Sequence, residues 1–364
     1  MNNTERTLAI LNYQNYDRLP LVHFGYWWET LEKWAAEGHL QKDENGNFKS
    51  GWPEFDFGWG DCGWGGGSNP IYGLLPAFER KVLKTLPDGS KHVQDDVGAT
   101  VLEAPDATSI PAEIDHLLKD RATWEEHYKP RLQWFEARLS RPKWADDPHA
   151  FDRPRGLYCG SMIGLLRNMM GVVGLSYLTV DDEELLDEML QTFADIALQN
   201  VKTALSWNVK FAYGHFWEDI CFKNGPLISP ALFEEKIAPL YKPITDELAR
   251  HGVNIVSLDC DGFIDHLIPG WLENGVNTMF PIEVGTWNAS IKPWRESYGK
   301  ELRGVGGMNK NVFAEDRAAV DAEIERLKPL VALGGFIPCP DHLIPPTAKW
   351  DLVCYYCDKM RATF

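Results

Sequence analysis

Ionisable and polar residues of this chain gather at one kind of place, directly behind short apolar runs. After VKFAYG (209–214) come His215, Trp217, Glu218 and Asp219; after VNIVSL (253–258) come Asp259, Cys260 and Asp261. VNTMF (276–280) is followed by Pro281 and Glu283, RGVGG (303–307) by Met308 and Asn309, and GGFIP (334–338) by Cys339, Asp341 and His342. If each run is a strand, Asp259 and Asp261 point to one side and Cys260 to the other. Two such carboxylates share a proton, hold a cation between them or pair with a base. The plainer alternative has one capping the helix that starts near Phe263 and the other paired with Arg or Lys. Glu218 and Asp219 also suit a helix start, where the dipole favours acids, but their place after a strand beside His215 points to chemistry. His342 lies in a loop stiffened by Pro338, Pro340, Pro345 and Pro346, which suits a held acid–base group.

Alternating elements must position these groups. Besides the five runs, GLYCG (156–160) and residues 19–24 read as strands, making seven, and the eighth is not evident. Amphipathic helices are expected at about 182–206, 230–251, 263–274, 315–328 and 347–361. Asp181 or Asp182 caps the first, and Ser229-Pro230 supplies an N-cap and a Pro at the first helical position of the second. Strand–helix repetition at this spacing predicts a parallel sheet covered by helices, and the (β/α)8 barrel is preferred because neither G-x-G-x-x-G nor G-x-x-x-x-G-K-[ST] occurs in the required context. Residues 45–76, rich in Gly and Trp, are expected as an excursion, and 78–103 as a β-meander with a turn at Pro87-Asp88-Gly89. The expectation is a single domain over 1–364 with the 45–150 region as N-terminal extension and insertion. Tyr26, Trp27 and the 57–64 loop are expected to cover the pocket. His23 either enters the same mouth or packs against Phe24 and Trp27, while Cys354 and Cys357 read as core residues of the last helix.

Composition narrows the partners. Lys plus Arg number 36 against 53 Asp plus Glu, a net charge of −17. That field repels phosphate backbones and anionic membrane surfaces, so neither nucleic acid nor membrane is an expected partner. Seven scattered cysteines suit reduced thiols, and no signal-like leader or apolar span is read, so a cytoplasmic enzyme acting on a small molecule is expected.

Several segments together resemble the uroporphyrinogen decarboxylase superfamily over almost the whole chain: TERTLAILNYQNYDRLPLVHFGYW, WEDICFKNGPLISPALFEEKIAPLYKPI, SLDCDGFID, GVNTMFPIEV and GGFIPCPDHLIPP. The resemblance implies a (β/α)8 barrel with its active mouth at the carboxyl ends of the strands. True decarboxylases of that superfamily carry an arginine-bearing M-R-Q-A-G-R segment after the first strand; here HFGYWWETLEKW stands instead, so that reaction is not expected. The methyltransferase branch binds zinc through a His-x-Cys pair and a later Cys, with a Glu between them in the related cobalamin-independent methionine synthases. By resemblance Asp259 and Asp261 fall at the first pair, Glu283 at the Glu and Cys339 at the later Cys, so these four are the expected metal ligands. Without a metal, the carboxylates bind a cationic or hydrogen-bonding substrate or act as acid and base.

What the resemblance implies is transfer of a methyl group from a small methylated donor, a methoxylated aromatic among the candidates, to a corrinoid protein or other acceptor. Asp259, Asp261, Glu218 and His342 are then the expected catalytic residues, with Tyr26, Trp27, His215, Asp219 and Asn309 binding substrate. A corrinoid would arrive on a partner, since D-x-H-x-x-G is absent from the chain. The alternatives are a decarboxylase or lyase of another carboxylated substrate and a ligand-binding barrel without catalysis.

Overall fold

Continuous apolar runs make strands buried on both faces, and such strands belong in parallel sheets covered by helices. The computed structural model describes residues 1–59, 70–105 and 110–364. In it, β1 (Val22–His23) and β2 (Phe57–Gly58) precede an antiparallel meander of β3 (Lys81–Thr85), β4 (Lys91–Gln94), β5 (Ala99–Glu103) and β6 (Ala112–His116). Then come β7 (Gly156–Gly160), β8 (Tyr213–Trp217), β9 (Val256–Asp259), β10 (Thr278–Ile282), β11 (Arg303–Met308) and β12 (Phe336–Pro340). These last six form one parallel sheet in the order β12-β11-β10-β9-β8-β7. β1 and β2 form a separate parallel pair, Val22 opposite Phe57. A parallel bridge between Tyr26 and Ile344 ties the chain beyond β1 to the chain beyond β12.

Helices separate the strands: α1 (Asn3–Leu11) and α2 (Trp28–Ala36) flank β1, and α3 (Gly164–Asp181) and α4 (Glu183–Ser206) follow β7. α5 (Ala238–Arg250), α6 (Ile268–Glu273), α7 (Ile291–Tyr298), α8 (Arg317–Val331) and α9 (Trp350–Thr363) follow β8 to β12 in turn. The expected caps form: Asp182 accepts the Leu185 N–H at 2.9 Å, and Ser229 accepts that of Leu232 at 3.1 Å. No helix among the described residues is long and apolar enough to cross a membrane.

Two expectations need correction. The Gly- and Trp-rich stretch is not wholly an excursion, because β2 lies within it and Trp59 behind β2 is fully buried. The Trp59 indole stacks on Tyr213 at 4.5 Å and reaches the Ser257 hydroxyl at 3.3 Å. A two-residue strand is too short to leave a period in the sequence, so only the fold reveals it. Several strands also begin two to four residues later than the apolar runs, β8 at Tyr213 rather than Val209 and β12 at Phe336 rather than Gly334. The early residues of those runs leave the preceding helix, and the ladder extends into the polar residues. His215 and Asp259 are therefore strand residues, not loop residues.

Candidate active site

Alternation along β8 decides what faces inward. A side chain at Gly214 would strike Leu248 of α5, and Phe216 packs edge-on against Tyr241 of the same helix, so both face outward. Tyr213 and His215 take the opposite face. His215 is fully buried, its ring 6.2 Å from that of Phe280, and neither ring nitrogen has a hydrogen-bond partner among the described residues. Burial pushes its pKa down to about 3, so the imidazole is neutral, offering one N–H and one lone pair.

Above it lies the ionisable cluster. Asp219, behind β8, accepts the backbone N–H of Asp261 at 3.1 Å, and Asp261 in turn holds the His342 Nε2 at 3.2 Å. Carboxylate oxygens of Asp219, Asp259 and Asp261 lie within 4.8 Å of one another. The His342 ring is stacked on Trp27 at 6.2 Å and meets Phe24 edge-on at 5.0 Å. Three chain-distant loops thus converge on one cluster, with a carboxylate-held imidazole half-buried between aromatic rings.

Charge crowding shows in Asp219. Burial, then the negative charge of Asp261, raises its pKa to about 6, against the pull of the Asp261 amide, Arg167 and His342. In the unfolded chain it titrates near 3.8. The folded state therefore keeps a proton through the interval between, and stability present below the unfolded value is lost as pH rises through about 6. Asp219→Asn removes this cost, and Asn suits the left-handed φ of 50° found there. We expect the variant to gain roughly 1–3 kcal/mol over wild type at pH 8 relative to pH 4.5, read from urea midpoints at both pH values. An equal difference at the two would show that Asp219 titrates normally.

Other expected site residues are anchors. Glu218 is fully buried and accepts five donors: the Met162, Ile163 and Gly164 amides at 2.6, 3.1 and 2.8 Å, the Ser161 hydroxyl at 2.8 Å and the Tyr241 hydroxyl at 2.6 Å. Burial raises its pKa and the donors oppose that shift. From the end of β8 it holds the segment that leads from the adjacent β7 into α3. Glu283 accepts the Gly262 amide at 2.6 Å and the Thr286 hydroxyl at 2.7 Å, holding the loop that carries Asp261. Asp341 likewise accepts the Gly285 and Lys310 amides at 2.7 and 3.1 Å. Asn309 caps the turn behind β11 through the Asn311 amide, at 3.1 Å.

The four expected metal ligands do not come together as a set. Asp259 and Asp261 group with Asp219 rather than with Glu283 and Cys339. Cys339 is fully buried, its thiol directed at the Pro340 carbonyl at 3.4 Å and close enough to Tyr356 of α9 to raise that hydroxyl's pKa. Burial pushes the thiol's own pKa well above 9.0. Because Cys339 and Glu283 stand outside the carboxylate group, the expected four-ligand zinc site is not assembled among the described residues, and the all-oxygen Asp trio is of the type preferred by harder cations. Cys339→Ala should leave the metal content of chelator-free protein unchanged, measured by mass spectrometry, and cost about 1–2 kcal/mol of stability. Loss of stoichiometric zinc in that variant would restore the thiolate to the site.

Trp27 stacks on His342 and Tyr26 lies beside Trp52 at 5.6 Å. Residues 60–64 of the expected covering loop lie outside the described residues. His23 packs against Tyr26 and Phe55 at 4.9 and 5.2 Å. Arg167 was not foreseen: it lies in the first turn of α3, its guanidinium 5.9 Å from the Trp217 ring, and its charge lowers the Asp219 pKa. In sequence it reads as an ordinary helix residue, with no signal to lift it out.

No protein-family model matches the sequence, and no curated protein does. Among solved structures, a methyltransferase from Methanosarcina mazei is similar over 100% of this chain and 98% of its own, with TM-score 0.57 and 13% identity. A putative vitamin-B12-independent methionine synthase from Listeria monocytogenes is similar over 62% of this chain and 70% of its own, with TM-score 0.35 and 15% identity. A B12-independent methionine synthase from Shewanella sp. W3-18-1 covers 62% and 67%, with TM-score 0.39 and 10% identity. At 13% identity, the likeness to the M. mazei enzyme is one of fold, and it spans the whole chain.

Proposed function

We propose that this chain is a methyltransferase-like enzyme of the uroporphyrinogen decarboxylase superfamily, built on a (β/α)8 barrel closed by β1 and β2. It would transfer a methyl group from a small methylated donor to a corrinoid protein or another acceptor, in the cytoplasm. The observation that carries this reading is the Asp261-held His342 beside Asp219 and Asp259, at the strand ends of a chain that shares its fold throughout with a methyltransferase.

With Nε2 turned to Asp261, the Nδ1 of His342 has no hydrogen-bond partner among the described residues and would exchange a proton with substrate. As the acceptor's nucleophile forms its bond to the methyl carbon, the carbon–heteroatom bond of the donor breaks and its electron pair stays on the heteroatom. The leaving heteroatom takes a proton from protonated His342 or from the Asp219 carboxyl, which keeps its proton up to about pH 6. Neutral His215, both of whose nitrogens lack a partner among the described residues, would orient a polar group of the substrate. A corrinoid, if it is the acceptor, would supply the nucleophile from its own protein.

The test is incubation with isotopically labelled methyl donors and a panel of acceptors, following label transfer and carbon dioxide release together. Label on the acceptor supports the reading. Carbon dioxide without methyl transfer makes the chain a decarboxylase, and binding without either makes it a ligand carrier.

A further inference from the structure

Beside the mouth, and sharing Phe24 with it, lies a cavity of about 660 Å³ between the end of β1 and the chain leading into β2. Its size falls within the range of small-molecule sites. The rings of His23, Tyr26, Trp52 and Phe55 form a connected wall: His23 to Tyr26 4.9 Å, Tyr26 to Trp52 5.6 Å, His23 to Phe55 5.2 Å. Trp52 is 39% exposed, a large apolar surface left open to solvent at this cavity.

The charges in the wall are unequal. Asp56 is neutralised by Arg18 through paired contacts of 2.7 and 3.0 Å and also accepts the Leu21 amide at 2.7 Å. Arg153 is exposed and has no ion-pair partner among the described residues. The wall thus offers flat apolar faces and one uncommitted guanidinium, whose planar fork matches a carboxylate. The chain's overall negative charge does not reverse this, since charges beyond about 8 Å are largely screened at physiological ionic strength.

We propose that this cavity binds a flat aromatic carboxylate, its ring against Tyr26, Trp52 and Phe55 and its carboxylate on Arg153. Phe24 is the shared partition, its ring 5.0 Å from that of His342, so a ligand here lies next to the acid–base pair. The ligand's identity as the methyl donor rests on the function proposed above; the binding site itself does not.

Isothermal titration of the full chain with benzoate, 4-methoxybenzoate, methoxybenzene and benzyltrimethylammonium tests it without requiring turnover. Both carboxylates should bind saturably, and methoxybenzene roughly tenfold or more weakly, as expected for loss of a charge-assisted contact. In Arg153→Ala the advantage of the carboxylates should vanish, and in Trp52→Ala all aromatic ligands should weaken by about tenfold. Both substitutions fall at exposed positions, and circular dichroism of each variant confirms the fold before binding is compared. No saturable binding of either carboxylate, preference for the quaternary ammonium, or an undiminished preference in Arg153→Ala would each overturn the proposal. Carboxylate binding without methyl transfer would leave this site standing and remove the proposed function; methyl transfer without such binding would do the reverse.

Discussion

Replacing His342 by Ala should lower kcat by about 10²–10⁴, the range for loss of a positioned acid–base group. Asp261→Asn should follow, because the carboxylate holds the imidazole Nε2 at 3.2 Å and thereby leaves Nδ1 to the substrate. The double variant should be little worse than the stronger single one, as two groups acting in one proton transfer are not additive. Trp27 and Phe24 pack on the imidazole, so circular dichroism and thermal melts must show both variants folded. A kcat within about threefold of wild type in folded His342→Ala would remove the imidazole from the mechanism.

The largest stability loss is expected at Glu218. Glu218→Ala strands five donors in a fully buried site, three of them opening amides of α3. Removing one side of a buried charged network typically costs about 3–5 kcal/mol. For a chain of 364 residues unfolding in one step, that is a Tm decrease of about 4–7 °C. Tyr241→Phe, which deletes a single donor to the same carboxylate, should cost about 1 kcal/mol. If Glu218→Ala melts with wild type while kcat collapses, Glu218 is a catalytic group after all, as its position behind a strand suggested.

Asp219, Asp261 and His342 were visible in the sequence because each closes an apolar run, and parallel sheets gather their strand ends at one rim. Capping was equally visible at Asp182 and Ser229, where the cap and its partner are three residues apart. The anchoring contacts of Glu218 are not legible in the sequence because its partners are 23 to 57 residues away, and nothing in its own neighbourhood announces them. The surroundings of Cys339 are hidden for a related reason. The resemblance places it near a strand end, but its surroundings are set by the sheet, and here the thiol is fully buried against the Pro340 carbonyl.

Much local order was therefore written in the sequence: most strands of the parallel sheet, several helices and their caps, and the acidity of the chain, though not α3, α7 or β2. Periodicity and capping act over a few residues, so they survive without coordinates. Tertiary structure alone decided which acids face each other and which are consumed as anchors, where Trp59 inserts, and that four aromatic rings and Arg153 share a cavity. Those outcomes depend on contacts between distant segments, where a shift of one residue turns a side chain from the mouth to the helix layer.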